Sequence, residues 1–173
     1  MSPTTPLTEF LGSIAGGKLP STTREAGHRL YSKLRVFHEL AANLAALSTC
    51  RRAQVGAVVV TPELSEVLAI GYNGPARGRP NDSCRGGEGA CGCAHSESNA
   101  IAKLGSHRSD LVLVSTTSPC EHCAGLVANC LRISHVVYDK PYRDPTGLTL
   151  LRDAGIVAVD WWLVKKWQME NPR

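Results

Sequence analysis

Three features of the sequence predict an α/β fold of three layers, α/β/α, with a five-stranded mixed sheet between the helices. From residue 54 onward, valine-rich strand segments alternate with segments of helical periodicity, the pattern of a largely parallel sheet covered on both faces. The first two strands are joined by a short Thr61-Pro62 turn, so they form a hairpin and make the sheet mixed. A chain of 173 residues, 43% of them hydrophobic, can bury one substantial core.

Residues 1–25 are rich in Thr, Pro, Ser and Gly, with an apolar patch at Leu7, Phe10, Leu11 and Ile14. They read as a loosely held arm with one helical turn docked on the body, which leaves 26–173 as the folded domain. Over 28–47, Leu30, Leu34, Phe37, Leu40, Leu44 and Leu47 recur at helical spacing and predict an amphipathic helix. Strands at 54–60 and 66–71 precede a Gly-, Pro- and Arg-rich loop over 72–94. A loop of that length in a compact domain is functional or tied down. A helix at 95–104, a strand at 111–115, a helix at 119–131 and a strand at 135–138 come next. A helix at 146–154 ended by Gly155, a strand at 156–159 and a helix at 160–170 complete the chain. No internal repeat is visible.

The formal charge of +4 suits an anion as small as a nucleotide but is too weak to argue for a polynucleotide partner. The first residues lack the layout of a secretion signal, and no apolar run approaches the ~20 residues that span a bilayer. A cytoplasmic protein with no membrane partner is expected. In a reducing compartment the seven cysteines read as ligands before disulfides.

The chemistry lies in a split motif. His95-Ser96-Glu97 is followed, after one strand, by Pro119-Cys120-Glu121-His122-Cys123. One imidazole and two thiolates make a three-ligand zinc site whose fourth position is open, as in catalytic rather than structural sites. Glu97 is placed to move protons beside the metal. H-x-E followed by P-C-x-x-C is the pattern of zinc-dependent nucleobase deaminases. In that chemistry zinc brings a water to a pKa of about 7, and the carboxylate carries its proton to the ring nitrogen. C-x-x-C alone would also fit a redox pair or a zinc knuckle; the two half-motifs together, each at a helix start, argue for the catalytic site. His122 reads as a surface residue. Ser118 is expected to cap the second helix, with Pro119 at its first position and Glu121 completing a capping box. Both helix starts should lie at the carboxyl ends of neighbouring parallel strands.

Ser48-Thr49-Cys50-Arg51-Arg52-Ala53-Gln54-Val55-Gly56-Ala57, Gly71-Tyr72-Asn73-Gly74-Pro75 and Cys93-Ala94-His95-Ser96-Glu97-Ser98-Asn99-Ala100 carry a more specific resemblance. Over roughly residues 30–160 the chain resembles the deoxycytidylate (dCMP) deaminase family, with Ser96 where that family usually has alanine. The resemblance implies the cytidine-deaminase-like fold and hydrolysis of dCMP to dUMP and ammonia, which feeds thymidylate synthesis. It assigns a deoxyribose contact to Asn73, pyrimidine-edge recognition to the Gly56 and Ala57 backbone, and substrate contacts to Ser118 and Tyr142. Asn73-Gly74 is also a turn signal in its own right, and Tyr142 would equally serve to cap the core. Arg51, Arg52 and Arg77 are candidate phosphate donors on composition. The resemblance further implies a homo-oligomer, dimer or hexamer, for which the region of Trp161, Trp162 and Trp167 offers apolar surface or core. It admits dCTP and dTTP as effectors, with Mg2+ accompanying the nucleotide, although the loop from Cys84 to His95 is shorter than in many relatives. Competing readings are a deaminase of modified dCMP, dCTP or a free nucleoside, a catalytically silent zinc-stabilised module, and a polynucleotide editor.

Of the other five cysteines, Cys130 reads as a buried small hydrophobe. Cys50, Cys84, Cys91 and Cys93 fall at the end of the first long helix and in the long loop, and four thiolates there make a structural zinc site plausible. Some relatives of the resembled family carry such a site. It would pin the loop between Asn73 and His95.

Overall fold

The computed structural model describes residues 5–87, 91–105 and 108–173. Residues 1–4 of the expected arm and 88–90 of the expected loop lie outside the described residues. Among the described residues thirteen elements are formed: α1 (Pro6–Ala15), α2 (Arg24–Ala45), β1 (Gly56–Val60), β2 (Val67–Tyr72), β3 (Gly74–Pro75), β4 (Cys93–Ala94), α3 (Ser96–Ala102), β5 (Leu111–Thr117), α4 (Glu121–Asn129), β6 (Ile133–Lys140), α5 (Thr146–Asp153), β7 (Val157–Asp160) and α6 (Trp161–Glu170). Five strands make one sheet in the order β2-β1-β5-β6-β7. β1 pairs antiparallel with both β2 and β5, whereas β5, β6 and β7 are parallel.

Strand alternation divides the core. Val58 and Val60 of β1 join Val112, Val114, Val137 and Val159 under α1, α2 and α6. Ala57 and Val59 face the other way, with Leu111, Leu113 and Val136, under α3, α4 and α5. Successive strand side chains point to opposite faces, so runs of consecutive valines are what a sheet covered on both sides requires. The three-layer mixed sheet expected from the sequence is present.

The N-terminal segment is more firmly built than one docked turn. Thr5 caps α1 by accepting from the Thr8 amide, Pro6 occupies its first turn, and Leu7, Phe10, Leu11 and Ile14 are all buried in the core. Glu9 ties the helix to the segment leading into α2, accepting from the Ser21 amide at 2.6 Å, the Thr22 amide at 3.1 Å and both hydroxyls. Phe10 meets Trp167 edge-on at 4.9 Å. Trp161 and Trp167 are core, and Trp162 is 52% exposed. No described helix is long and apolar enough to cross a membrane.

Candidate active site

Three strand ends make one edge of the sheet. Because β2 and β5 both run antiparallel to β1, they run in the same direction, and their carboxyl ends flank the amino end of β1. The expectation that the two helix starts follow neighbouring parallel strands is therefore corrected: β1 stands between them, antiparallel. The long loop is closed by the β3–β4 ribbon, where Gly74 pairs with Ala94 and Pro75 with Cys93. That short zipper brings Asn73 beside His95.

α3 starts directly after His95, whose main chain is extended at φ −78°, ψ 157°. Its placement depends on β2. Gly71 lies so close to α3 that a β-carbon there would sit 2.0 Å from the Ser96 carbonyl oxygen. α4 starts after Cys120, which itself holds the capping position. The predicted Ser118 cap is thus displaced by two residues. Ser118 instead donates its amide to the Lys140 carbonyl at 2.8 Å and accepts from the Tyr142 amide at 2.7 Å through its hydroxyl. Those bonds hold the turn after β6 against the end of β5, so the serine is spent on joining strands.

His95 Nδ1 lies 3.4 Å from Cys120 Sγ and 3.4 Å from Cys123 Sγ. Ligands at about 2.0 Å (N) and 2.3 Å (S) around a tetrahedral zinc are separated by about 3.5 Å, so the spacing fits that ion. Of the three donors, Cys120 is the one shifted toward its ligating thiolate form. Hydrogen bonding from Cys123, and next from His95, holds the Cys120 thiol down to about 3. The hydrogen bond to Cys120 raises His95, and the same thiol contact, with burial, pushes Cys123 upward.

Glu97 is 4% exposed. Burial raises its pKa, while its own amide and the Ser96 hydroxyl, 2.9 Å from Oε2, pull the other way. A carboxyl pushed upward by burial is suited to taking and returning a proton.

The pocket over these groups has a volume of about 110 Å3 and is lined by Arg52, Ala53, Val55, Asn73, Ser96, Thr117, Ser118 and Tyr142 beside His95, Glu97 and Cys120. A larger, shallower concavity of about 740 Å3 runs along α2 from Arg24 to Val36. It contains none of the clustered metal donors.

The sequence-predicted substrate residues divide. Ser118 and Tyr142 line the pocket. Asn73 does too, but its Oδ1 accepts from the Val55 amide at 2.8 Å and its Nδ2 donates to the Ala53 carbonyl at 2.7 Å. One proton on Nδ2 and one lone pair on Oδ1 remain for a ligand. Gly56 and Ala57 do not line the pocket. They are buried in β1; the Gly56 amide donates to Thr116 Oγ1 at 3.1 Å and its carbonyl accepts from Ser115 at 3.4 Å. Ala53 and Val55, just outside the sheet, line the pocket instead, and the Val55 amide, the Val55 carbonyl and the Ala53 carbonyl are all bonded to Asn73. Of the three arginines, Arg52 lines the pocket and Arg51 and Arg77 are exposed outside it. Hydrogen bonding to Tyr142 raises the Arg52 pKa. His122 is exposed, as expected.

Sequence reasoning missed Gly147, which lets α5 approach the turn that bears Cys120, and quoted Gly71 without the close approach of β2 to α3 that it permits. A glycine amid helix-forming residues is the signal that Gly147 leaves.

Cys50, Cys84, Cys91 and Cys93 converge, with their sulfurs within 4.8 Å of one another. Cys84 and Cys50 Sγ are 3.8 Å apart, matching the about 3.8 Å edge of a tetrahedral zinc–thiolate site. The Arg51 amide donates to Cys84 Sγ at 3.4 Å and, with the Gly86 amide, lowers that thiol to about 7.

Comparison with known proteins fits this geometry. Residues 31–140 match the model of the cytidine and deoxycytidylate deaminase zinc-binding region. The deoxycytidylate deaminase of Schizosaccharomyces pombe is 33% identical over 135 residues, covering 69% of this chain; the chain spans 41% of that relative's length. The dCMP deaminase of cyanophage S-TIM5, solved with dCMP and dUMP, is 29% identical with a TM-score of 0.64, covering 72% of this chain and 93% of that one. The diaminohydroxyphosphoribosylaminopyrimidine deaminase and uracil-derivative reductase of Thermotoga maritima shares the fold at 23% identity and a TM-score of 0.59, covering 80% of this chain and 39% of that one.

Proposed function

Because the chain belongs to the cytidine and deoxycytidylate deaminase zinc-binding family, we propose that it hydrolyses dCMP to dUMP and ammonia. The observation that carries this is the His95, Cys120 and Cys123 donor set with the buried Glu97 beside it, in a pocket that also holds Arg52.

In this reading His95, Cys120 and Cys123 hold the catalytic zinc. Bound there, zinc supplies a Lewis acid that lowers the pKa of a water to about 7. Glu97 takes a proton from water and passes it to the ring nitrogen beside the carbon that carries the amino group. The water oxygen bonds to that carbon; Glu97 then takes the remaining proton of the new hydroxyl and gives it to the amine, the C–N bond breaks, and ammonia leaves behind a carbonyl. Asn73 braces the 53–55 backbone and offers its remaining proton and lone pair to the sugar. Tyr142 and Ser118 wall the base. Arg52 supplies the charged donor for the phosphate.

Cys50, Cys84, Cys91 and Cys93 hold a second, structural zinc. The sequence spacing supports a role in ordering the site: Cys50 is two residues before Arg52, and Cys93 two before His95. The deaminase unit is the 26–173 segment, with the 1–25 arm as its N-terminal extension, of which α1 packs on the core. The exposed Trp162 and Met169 on α6 support assembly into a homo-oligomer. Free thiols at both clusters support a reducing, cytoplasmic setting.

The test is ammonia release by zinc-loaded protein from dCMP, dCTP, 5-methyl-dCMP and deoxycytidine. A charge-assisted phosphate contact worth about 1.5–3 kcal/mol predicts kcat/KM for dCMP about ten- to a hundredfold above deoxycytidine. Preference for the nucleoside or the triphosphate would displace dCMP as the substrate. No turnover of any of the four would end the deaminase reading.

A further inference from the structure

We propose that Ser48 is a positioning residue for Asn73: its hydroxyl holds the Asn73 main chain so that the free proton and lone pair of the Asn73 side chain meet the one hydroxyl of the substrate's sugar. This rests on the deaminase reading above and adds to it a residue outside the pocket that sets how well the sugar is held.

Asn73 lines the pocket and Ser48 does not, and both are buried. Ser48 Oγ donates to the Asn73 carbonyl at 2.7 Å and accepts from the Cys50 amide at 3.2 Å. A hydroxyl has one proton, so these two bonds fix its direction. The serine is itself anchored. Its amide donates to the Ala45 carbonyl at 3.0 Å, and its carbonyl accepts from Gln54 Nε2 at 3.4 Å. It thereby closes the end of α2, which lies directly on β1: a β-carbon on Gly56 would come within 2.0 Å of the Ala41 carbonyl oxygen. A donor seated on helix and sheet in this way gives Asn73 a fixed reference.

Asn73 is gripped from two directions. Its amide and Oδ1 are bonded to Val55 at 3.1 and 2.8 Å, and its Nδ2 to Ala53 at 2.7 Å. The bond to Ser48 adds a tie to the end of α2. What remains on the side chain is one donor and one acceptor. The deoxyribose of a 5′-monophosphate has one free hydroxyl, on C3′, which also donates once and accepts, so the two groups are complementary. Without the Ser48 hydroxyl the buried Asn73 carbonyl loses this partner. An unpaired buried acceptor is costly, so the residue 73 peptide swings toward another donor and takes its side chain off the sugar. These bonds touch neither His95, Cys120 and Cys123 nor Glu97. A sugar contact is made alike in the ground and transition states, so its loss raises KM and spares kcat.

The experiment compares zinc-loaded wild type, Ser48→Ala and Ser48→Thr on dCMP and on 2′,3′-dideoxycytidine 5′-monophosphate, which lacks the C3′ hydroxyl. In the wild type, KM for dCMP should lie about two- to tenfold below KM for the dideoxy substrate, the worth of one neutral hydrogen bond. Ser48→Ala should lose that advantage, while its kcat, its zinc content and its KM for the dideoxy substrate match wild type. Ser48→Thr keeps a hydroxyl and should keep the advantage. An advantage retained by Ser48→Ala, or lost by Ser48→Thr, overturns this role alone. So does a Ser48→Ala protein that fails to fold, loses zinc or loses kcat on both substrates, since the hydroxyl is then a structural prop. Equal KM for the two substrates in a wild type that turns over dCMP removes the sugar contact and this role but leaves the deaminase reading standing. Absence of dCMP turnover in the wild type overturns that reading and this role with it.

Discussion

Gly147 and Cys120 are in backbone contact: a β-carbon on Gly147 would lie 2.8 Å from the Cys120 carbonyl carbon and 2.1 Å from the preceding Pro119 carbonyl oxygen. α5 therefore serves as the floor of the turn that presents the first thiolate. In Gly147→Ala, alanine gains up to about 1 kcal/mol of helix propensity. Overpacking against rigid main chain costs about 1–3 kcal/mol, so destabilisation wins. The expected result is a lower melting temperature and a weaker hold on the catalytic zinc, read by thermal denaturation and chelator competition.

Glu97→Gln keeps the shape and an acceptor for the Ser96 hydroxyl but cannot take a proton. Turnover of dCMP should fall by about 10² to 10⁴, while zinc content and melting temperature stay near wild type. Steady-state kinetics with metal analysis checks this, and a fully active variant contradicts the proton-carrier role.

Arg52 separates phosphate recognition from chemistry. Arg52→Ala should raise KM for dCMP about ten- to a hundredfold, the worth of one charge-assisted hydrogen bond. The kinetic constants for deoxycytidine should change little. Equal losses on both substrates would place Arg52 in the fold of the pocket instead.

Glu9 predicts an acid limb of the stability curve. The Thr22 hydroxyl, burial opposing it, and the Ser21 and Thr22 amides leave its carboxyl at about 2 instead of 4.5. A carboxyl depressed in the folded state stabilises fully above its unfolded value and loses that contribution as pH falls through the folded one. Glu9→Gln should thus be less stable than wild type near neutrality, with the gap closing as the pH drops from about 4.5 toward 2. Urea denaturation at stepped pH measures it, and a pH-independent gap contradicts it.

The metal-donor pattern was legible because its parts are local: His95-x-Glu97 and Cys120-x-x-Cys123 each fix a spacing on one helix start, and the valine runs fix the sheet that brings them together. Legibility failed where long-range geometry decides. Ser118 looks like a helix cap by composition, yet the Tyr142 amide, 24 residues on, claims its hydroxyl. Arg51 and Arg52 are equivalent in sequence, and only the path of the 50–55 turn puts one in the pocket. Gly56 and Ala57, expected to meet the pyrimidine, lie outside the pocket that Ala53 and Val55 line, because β1 is buried with partner strands on both sides. The apolar i, i+3, i+4, i+7 set of Leu7, Phe10, Leu11 and Ile14 was visible, but the surrounding Pro, Thr and Gly masked the strength of the helix it forms.

Zinc-edge anomalous diffraction from crystals of the purified protein puts all of this at risk at once. One peak should fall about 2.0 Å from His95 Nδ1 and about 2.3 Å from the sulfurs of Cys120 and Cys123, with no fourth protein donor and Glu97 alongside. A second should sit among the sulfurs of Cys50, Cys84, Cys91 and Cys93. A first peak closed by a fourth side chain, or the absence of zinc from His95, would contradict a catalytic centre here.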